Sequence, residues 1–177
     1  TSMALCIADS LIEKRGYDAE DIMRKFVAWY RNGYNSCTGY CFDIGMSTAS
    51  ALRNFEQTKN PYCNFTDSAG NGNIMRLAPI PMFFYLDEYE CSKYCKLSSK
   101  TTHPSKQSMG CAVYMGWIIS QFIKGRKKDS VLDGASPKLN AFWEMDEDMN
   151  HEKVWNIINK TYNIFAYSLI GKFIFDI

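Results

Sequence analysis

Apolar positions recur at three- and four-residue spacing along most of the chain, and no stretch alternates convincingly with period two. The pattern predicts an all-α fold. Leu5, Ala8, Leu11 and Ile12 share one face of a helix over residues 3–14, and Gly16 supplies a stop. Asp18, with Asp21 three residues on, offers an N-cap for a second helix from Ala19 to about Arg31. Ile22, Met23, Phe26, Val27 and Tyr30 form its apolar face, and Asn32-Gly33 ends it. The short link between these two helices predicts an antiparallel helical hairpin. Residues 33–46 suit an ordered loop, after which Ser47 or Thr48 can cap a third helix reaching about Glu56. A fourth helix is expected to begin near Asn73 and to be broken or kinked by Pro79 and Pro81. Asp87 or Glu88 starts a short helix through Cys95, and residues 97–103 read as a Ser/Thr loop. The clearest helix opens at Pro104, with Met109, Ala112, Val113, Gly116, Ile119 and Ile123 in register, and closes at Gly125. A final helix is expected over about His151–Gly171, after a polar stretch of weak pattern.

Both ends look cut rather than finished, since Thr1-Ser2-Met3 already lies inside a helical pattern and Phe173-Ile174-Phe175 runs to the end without a cap. A chain of 177 residues suffices for one domain with a sizeable core. The expectation is a single, partial domain over 1–177, with 126–177 as a divergent C-terminal part. Twenty basic against 19 acidic residues leave a net charge of +1, which argues against the concentrated basic surface that nucleic-acid binding needs. No apolar stretch approaches the ~18 residues of a membrane span. The seven cysteines are an odd number, and the sequence opens without a basic-then-apolar leader pattern. An intracellular, cytoplasmic monomer with reduced thiols is therefore expected. Cys37-x3-Cys41 and Cys91-x3-Cys95 have spacings that zinc permits, but the second is also ordinary one-face helical spacing.

Three segments carry candidate chemistry. In Ser68-Ala69-Gly70-Asn71-Gly72-Asn73 the glycines allow left-handed backbone and close approach to a ligand. A helix starting directly afterwards would offer free N–H groups to a phosphate, and Asn71 could meet a sugar hydroxyl. A plain turn with a helix cap accounts for the same residues. His103 stands at a loop-to-helix junction, where its ring can face a cleft or serve as a hydrogen-bonded structural group; nothing near it in sequence orients it as a general base. Asp43, between Phe42 and Ile44, can cap the next helix or orient water, a metal ligand or a sugar. The run Asp146-Glu147-Asp148 reads as solvated surface.

Together these segments resemble the ADP-ribosylglycohydrolase family. Thr1-Ser2-Met3-Ala4-Leu5 resembles the tail of its T-D-D-T-x-M-A-L motif, and Cys41-Phe42-Asp43-Ile44-Gly45-Met46-Ser47-Thr48 its F-D-I-G-x-[ST]-T segment. Ser68 to Pro79 resembles G-N-G-x-x-M-R-x-A-P, the most specific of the set, and Thr102-His103 the T-H before a long helix. The resemblance implies an all-helical orthogonal bundle with two magnesium ions. The reaction it implies is hydrolysis of the bond between C1 of ADP-ribose and a protein side chain or a related conjugate. It further implies that Ser68, Ala69, Gly70, Asn71 and Gly72 wrap ADP-ribose, that Met75 lines the pocket, and that His103 contacts the phosphate or ribose side. Asp43 would stand near the reacting sugar or just behind the metals.

The departures are specific. Thr1 matches the last residue of T-D-D-T, so both Asp ligands of that motif are absent from this sequence. No D-x-D-T follows the long helix; beyond Gly125 the aspartates are Asp129, Asp133, the Asp146 run and Asp176. Magnesium favours octahedral carboxylate and water oxygens, and in such a site it positions water and stabilises developing charge. The chain as given is thus expected to be weak or inactive as a hydrolase. The alternative is a metal-free, decayed ADP-ribose-binding or structural helical domain.

Overall fold

Seven α-helices and one 3₁₀ turn, with no strand, make up residues 1–132, the part of the chain that the computed structural model describes. They are α1 (Ser2–Lys14), α2 (Ala19–Asn32), α3 (Met46–Thr58), the 3₁₀ turn Ile74–Arg76, α4 (Pro79–Phe84), α5 (Glu88–Lys100), α6 (Lys106–Ile123) and α7 (Lys128–Leu132). The fold is all-α. The expected helix over 151–171 and the acidic run at 146–148 lie outside the described residues.

Most helix ends follow local chemistry. The Asp18 carboxylate accepts from the Asp21 N–H at 2.9 Å and caps α2, as its spacing predicts. Gly33 closes α2 at φ 69°, with its N–H on Trp29 O at 2.9 Å. A Cβ at that position would lie 2.2 Å from the Gly39 carbonyl oxygen, so only glycine fits. At the end of α1 the left-handed residue is Arg15, φ 54°, and not Gly16. Helix α3 is capped neither by Ser47 nor by Thr48: Gly45 is its N-cap, and Ala49 N–H donates to Gly45 O at 2.9 Å.

Four expectations are corrected between residues 73 and 105. No helix starts at Asn73; a single 3₁₀ turn follows the glycine loop. Pro79 and Pro81 do not break a helix but open one. They occupy the first and third positions of α4, whose N–H groups lack intrahelical partners anyway. The Ser/Thr run is largely helical, because α5 continues to Lys100. Pro104 precedes α6 rather than starting it; Ser105 is the N-cap, its hydroxyl accepting from Ser108 N–H at 3.1 Å.

One apolar cluster joins all the long helices. Ile7 and Leu11 of α1, Ile22 and Phe26 of α2, and Leu52 of α3 meet Leu77, Ile80 and Cys95. Each such side chain contributes roughly 1.5–3 kcal/mol when fully buried. Helix α5 packs most extensively on α6. The closeness comes from Gly116, where a Cβ would lie 2.3 Å from Cys95 Sγ. This tight pair presents its connection, residues 101–105, to the loop that precedes the 3₁₀ turn.

Candidate functional site

The glycine loop and the α5–α6 connection meet at one imidazole. A Cβ on Gly70 would come within 3.0 Å of His103 Cδ2, and one on Gly72 within 3.1 Å of Cε1. Nε2 would lie 3.2 Å from both. The two glycines therefore seat the ring edge between them, and a side chain at either would force it to move.

Hydrogen bonds hold the two segments in register. Ser108 Oγ donates to Gly70 O at 2.9 Å and accepts from Ser105 Oγ at 2.9 Å. Asn73 is buried, and its Nδ2 donates to Ser99 Oγ and to Ser108 O, both at 2.8 Å. Ser99 Oγ donates in turn to His103 O at 2.9 Å, and His103 N–H donates to Ser99 O at 2.7 Å. Cys63 ties the preceding loop to the same corner, with its N–H on Lys100 O at 3.2 Å and its thiol on Thr101 O at 3.1 Å. Beside it a cleft of about 180 Å³ is bounded by Cys63, Asn64, Phe65, Lys100, Pro104 and Met109.

Arg76 lies behind His103, almost wholly buried. Its Nη2 donates to Thr102 Oγ1 at 2.6 Å and, at 3.2 Å each, to Thr101 Oγ1 and Ser98 O. The Phe26 ring centroid is 5.0 Å from its guanidinium carbon. Burial pushes this guanidinium down to about 10, with Tyr17 and Cys63 acting the other way. Burial first, and the Arg76 charge second, push the His103 imidazole down to about 4. The ring is thus neutral near pH 7. Its Nδ1 stands 2.7 Å from Thr102 Oγ1.

Two chemical expectations for the loop need correction. Neither Gly70 nor Gly72 adopts a left-handed backbone; what they supply is the missing Cβ beside His103. The loop does not run into a helix N-terminus either. A three-residue 3₁₀ turn carries no appreciable macrodipole, and its first N–H, that of Ile74, is already donated to Asn71 O at 3.1 Å. Ser68, Ala69 and Asn71 are exposed, and Met75 stands on the outer side of the turn opposite the inward Arg76. Asp43 belongs to the α2–α3 connection, exposed at φ 53° and capping no helix.

Ser99 and Ser108 escaped the sequence reading, and Asn73 and Arg76 stood in its motifs without an assigned role. A signal for Arg76 existed: it is the only charged residue from 74 to 86, a run otherwise apolar apart from Tyr85. Its partners come from the Ser/Thr-rich stretch, where Ser98, Ser99, Thr101 and Thr102 are all buried. Among the described residues no three His, Cys, Asp or Glu side chains gather as a metal-holding group. This part of the chain does not fit a pair of magnesium ions. No helix among the described residues is long and apolar enough to cross a membrane.

The family model described as ADP-ribosylglycohydrolase matches residues 1–164, which extends past Gly125, where the short motifs stop. An ADP-ribosylarginine hydrolase Tri1 of Serratia proteamaculans (strain 568) is 34% identical over 131 residues, covering 73% of this chain and 36% of that protein. The protein of the same name from Pseudomonas putida (strain GB-1) is 32% identical over 141 residues, 78% of this chain and 38% of its own length. The ADP-ribosylhydrolase ARH3 of Gallus gallus is 29% identical over 136 residues, 71% of this chain and 34% of its own. The chain spans little more than a third of the length of these relatives.

Proposed function

The chain belongs to the ADP-ribosylglycohydrolase family, and from that premise we propose that residues 68–72 and His103 form the ADP-ribose-holding corner of an ADP-ribosyl hydrolase. The observation that carries this reading is the seat of the His103 ring between Gly70 and Gly72. It brings the two family-like motifs to one place and leaves the Asn71 side chain exposed beside them. A bound ADP-ribose would lie over exposed Ser68, Ala69 and Asn71, with Met75 against an apolar part of it and His103 toward the phosphate or ribose. Asp43 is the candidate group near the reacting sugar. The substrate is an ADP-ribosylated protein or a small ADP-ribose conjugate. Two of the relatives bear names that specify arginine, which makes arginine the linkage to test first. In the proposed reaction a water oxygen becomes bonded to C1 of the ribose, and the side-chain nitrogen leaves with a proton. Magnesium enters only as an expectation from the family, and no step is assigned to it.

Calorimetry of the 177-residue chain with ADP-ribose tests the binding half. Binding is expected with magnesium and with chelator alike, weakened about ten-fold by Asn71→Ala, the loss of one or two hydrogen bonds. Absence of binding in both buffers sinks the reading. Release of ADP-ribose from an arginine-linked conjugate, expected to be slow with this chain and slowed further by Asp43→Asn, tests the hydrolytic half. Release that Asp43→Asn leaves unchanged removes Asp43 from the site.

A further inference from the structure

A short relay of hydrogen bonds behind the glycine loop decides where the His103 proton sits. Arg76 has donors only, so its contact with Thr102 Oγ1 at 2.6 Å occupies one lone pair of that hydroxyl. Thr102 is buried and has one proton left to place. His103 Nδ1 lies 2.7 Å away on the other side. If Nδ1 carried the ring proton, it would donate into the second lone pair and strand the hydroxyl proton in a buried site. If Nδ1 is bare, the hydroxyl proton goes to it and both Thr102 Oγ1 and His103 Nδ1 are satisfied, whereas Arg76 Nε and Nη1 stay without a partner in either arrangement. The second arrangement is the favourable one, because an unmade buried hydrogen bond costs more than a made one contributes.

We infer that Arg76 and Thr102 act as positioning residues that lock His103 as a neutral Nε2–H donor aimed between Gly70 and Gly72. The imidazole then offers the loop's ligand one N–H. It is neither a general base nor a cation for a phosphate. Arg76 is the charged group that acts on the ring, and it disfavours the imidazolium. The ligand's identity rests on the ADP-ribose reading above, but the proton's place does not.

The test is nitrogen-15 spectroscopy of the His103 ring in the full chain, paired with ADP-ribose titration. The wild-type spectrum is expected to show a bare Nδ1 and a protonated Nε2, unchanged from about pH 8 to about pH 5. Thr102→Val, which keeps shape but loses the hydroxyl, is expected to mix the tautomers and weaken ADP-ribose binding about ten-fold. Thr102→Ser, which restores the hydroxyl, is expected to keep the wild-type spectrum and bind within about two-fold of wild type. A proton on Nδ1 in the wild type, an imidazolium near neutral pH, or a Thr102→Val spectrum identical to wild type would overturn the relay. The wild-type spectrum decides alone if Thr102→Val fails to fold. A correct tautomer in a chain that ignores ADP-ribose upholds the relay and counts against the ligand instead.

Discussion

His103 gives the protein a pH dependence that can be measured without any ligand. In the unfolded chain its imidazole takes up a proton near the usual 6.5, whereas in the fold it does so only at about 4. Between those values the unfolded state binds more protons, so stability falls as pH drops from about 6.5 to about 4 and this contribution then levels off. The loss is at most about 3 kcal/mol. Chemical denaturation at stepped pH checks it, and His103→Gln should flatten that window. Asp21 and Glu56, whose carboxyls are held below the usual range, contribute their own losses only at lower pH. Gly72→Ala places a methyl 3.1 Å from the same ring. We expect it to cost about 1–2 kcal/mol and to weaken ADP-ribose binding by more than that destabilisation alone predicts. At this scale the sequence showed that His103 and the glycines were of interest. It did not show that they touch, because the contact joins positions about thirty residues apart and depends on side chains missing from Gly70 and Gly72.

Between elements, the α5–α6 pair is set by one missing methyl. Gly116→Ala drives a Cβ to within 2.3 Å of Cys95 Sγ and 3.3 Å of its Cβ, on a residue fully buried in the core. A loss of roughly 1–3 kcal/mol is expected in thermal or denaturant unfolding. Cys95→Ala in the same chain should recover part of it, since the sulfur is the nearer obstacle. Asp18→Ala, by contrast, removes a single helix cap and should cost about 1 kcal/mol. Caps such as Asp18 and Gly33 were legible because they act within a few residues. The α4 region was not. Pro79 and Pro81 look like breakers in isolation, and only the end of the preceding 3₁₀ turn makes them a helix start.

Over the whole molecule, protection should follow the shared apolar cluster. Amide exchange is expected to be slowest around Ile7, Leu11, Ala112 and Val113, whose side chains are almost completely buried, and fast in exposed 64–69. Added ADP-ribose should slow exchange at residues 70–72 and 103 while leaving the α1–α2 connection near Gly16 unaffected. Exchange that is uniform across these segments would contradict a single core with a localised site. The sequence by itself determined the all-α class, the first two helices with the Asp18 and Gly33 caps of the second, and the motifs that identify the family. All of these are carried by residues a few positions apart, where helical periodicity and backbone chemistry act directly. Tertiary structure alone decided that Arg76 is buried behind His103, that the Ser/Thr stretch supplies its partners, and that the glycines serve by having no side chain. Those features follow from which segments the core brings together, and a burial of that kind leaves only a faint trace in a linear pattern: one charge in an apolar run.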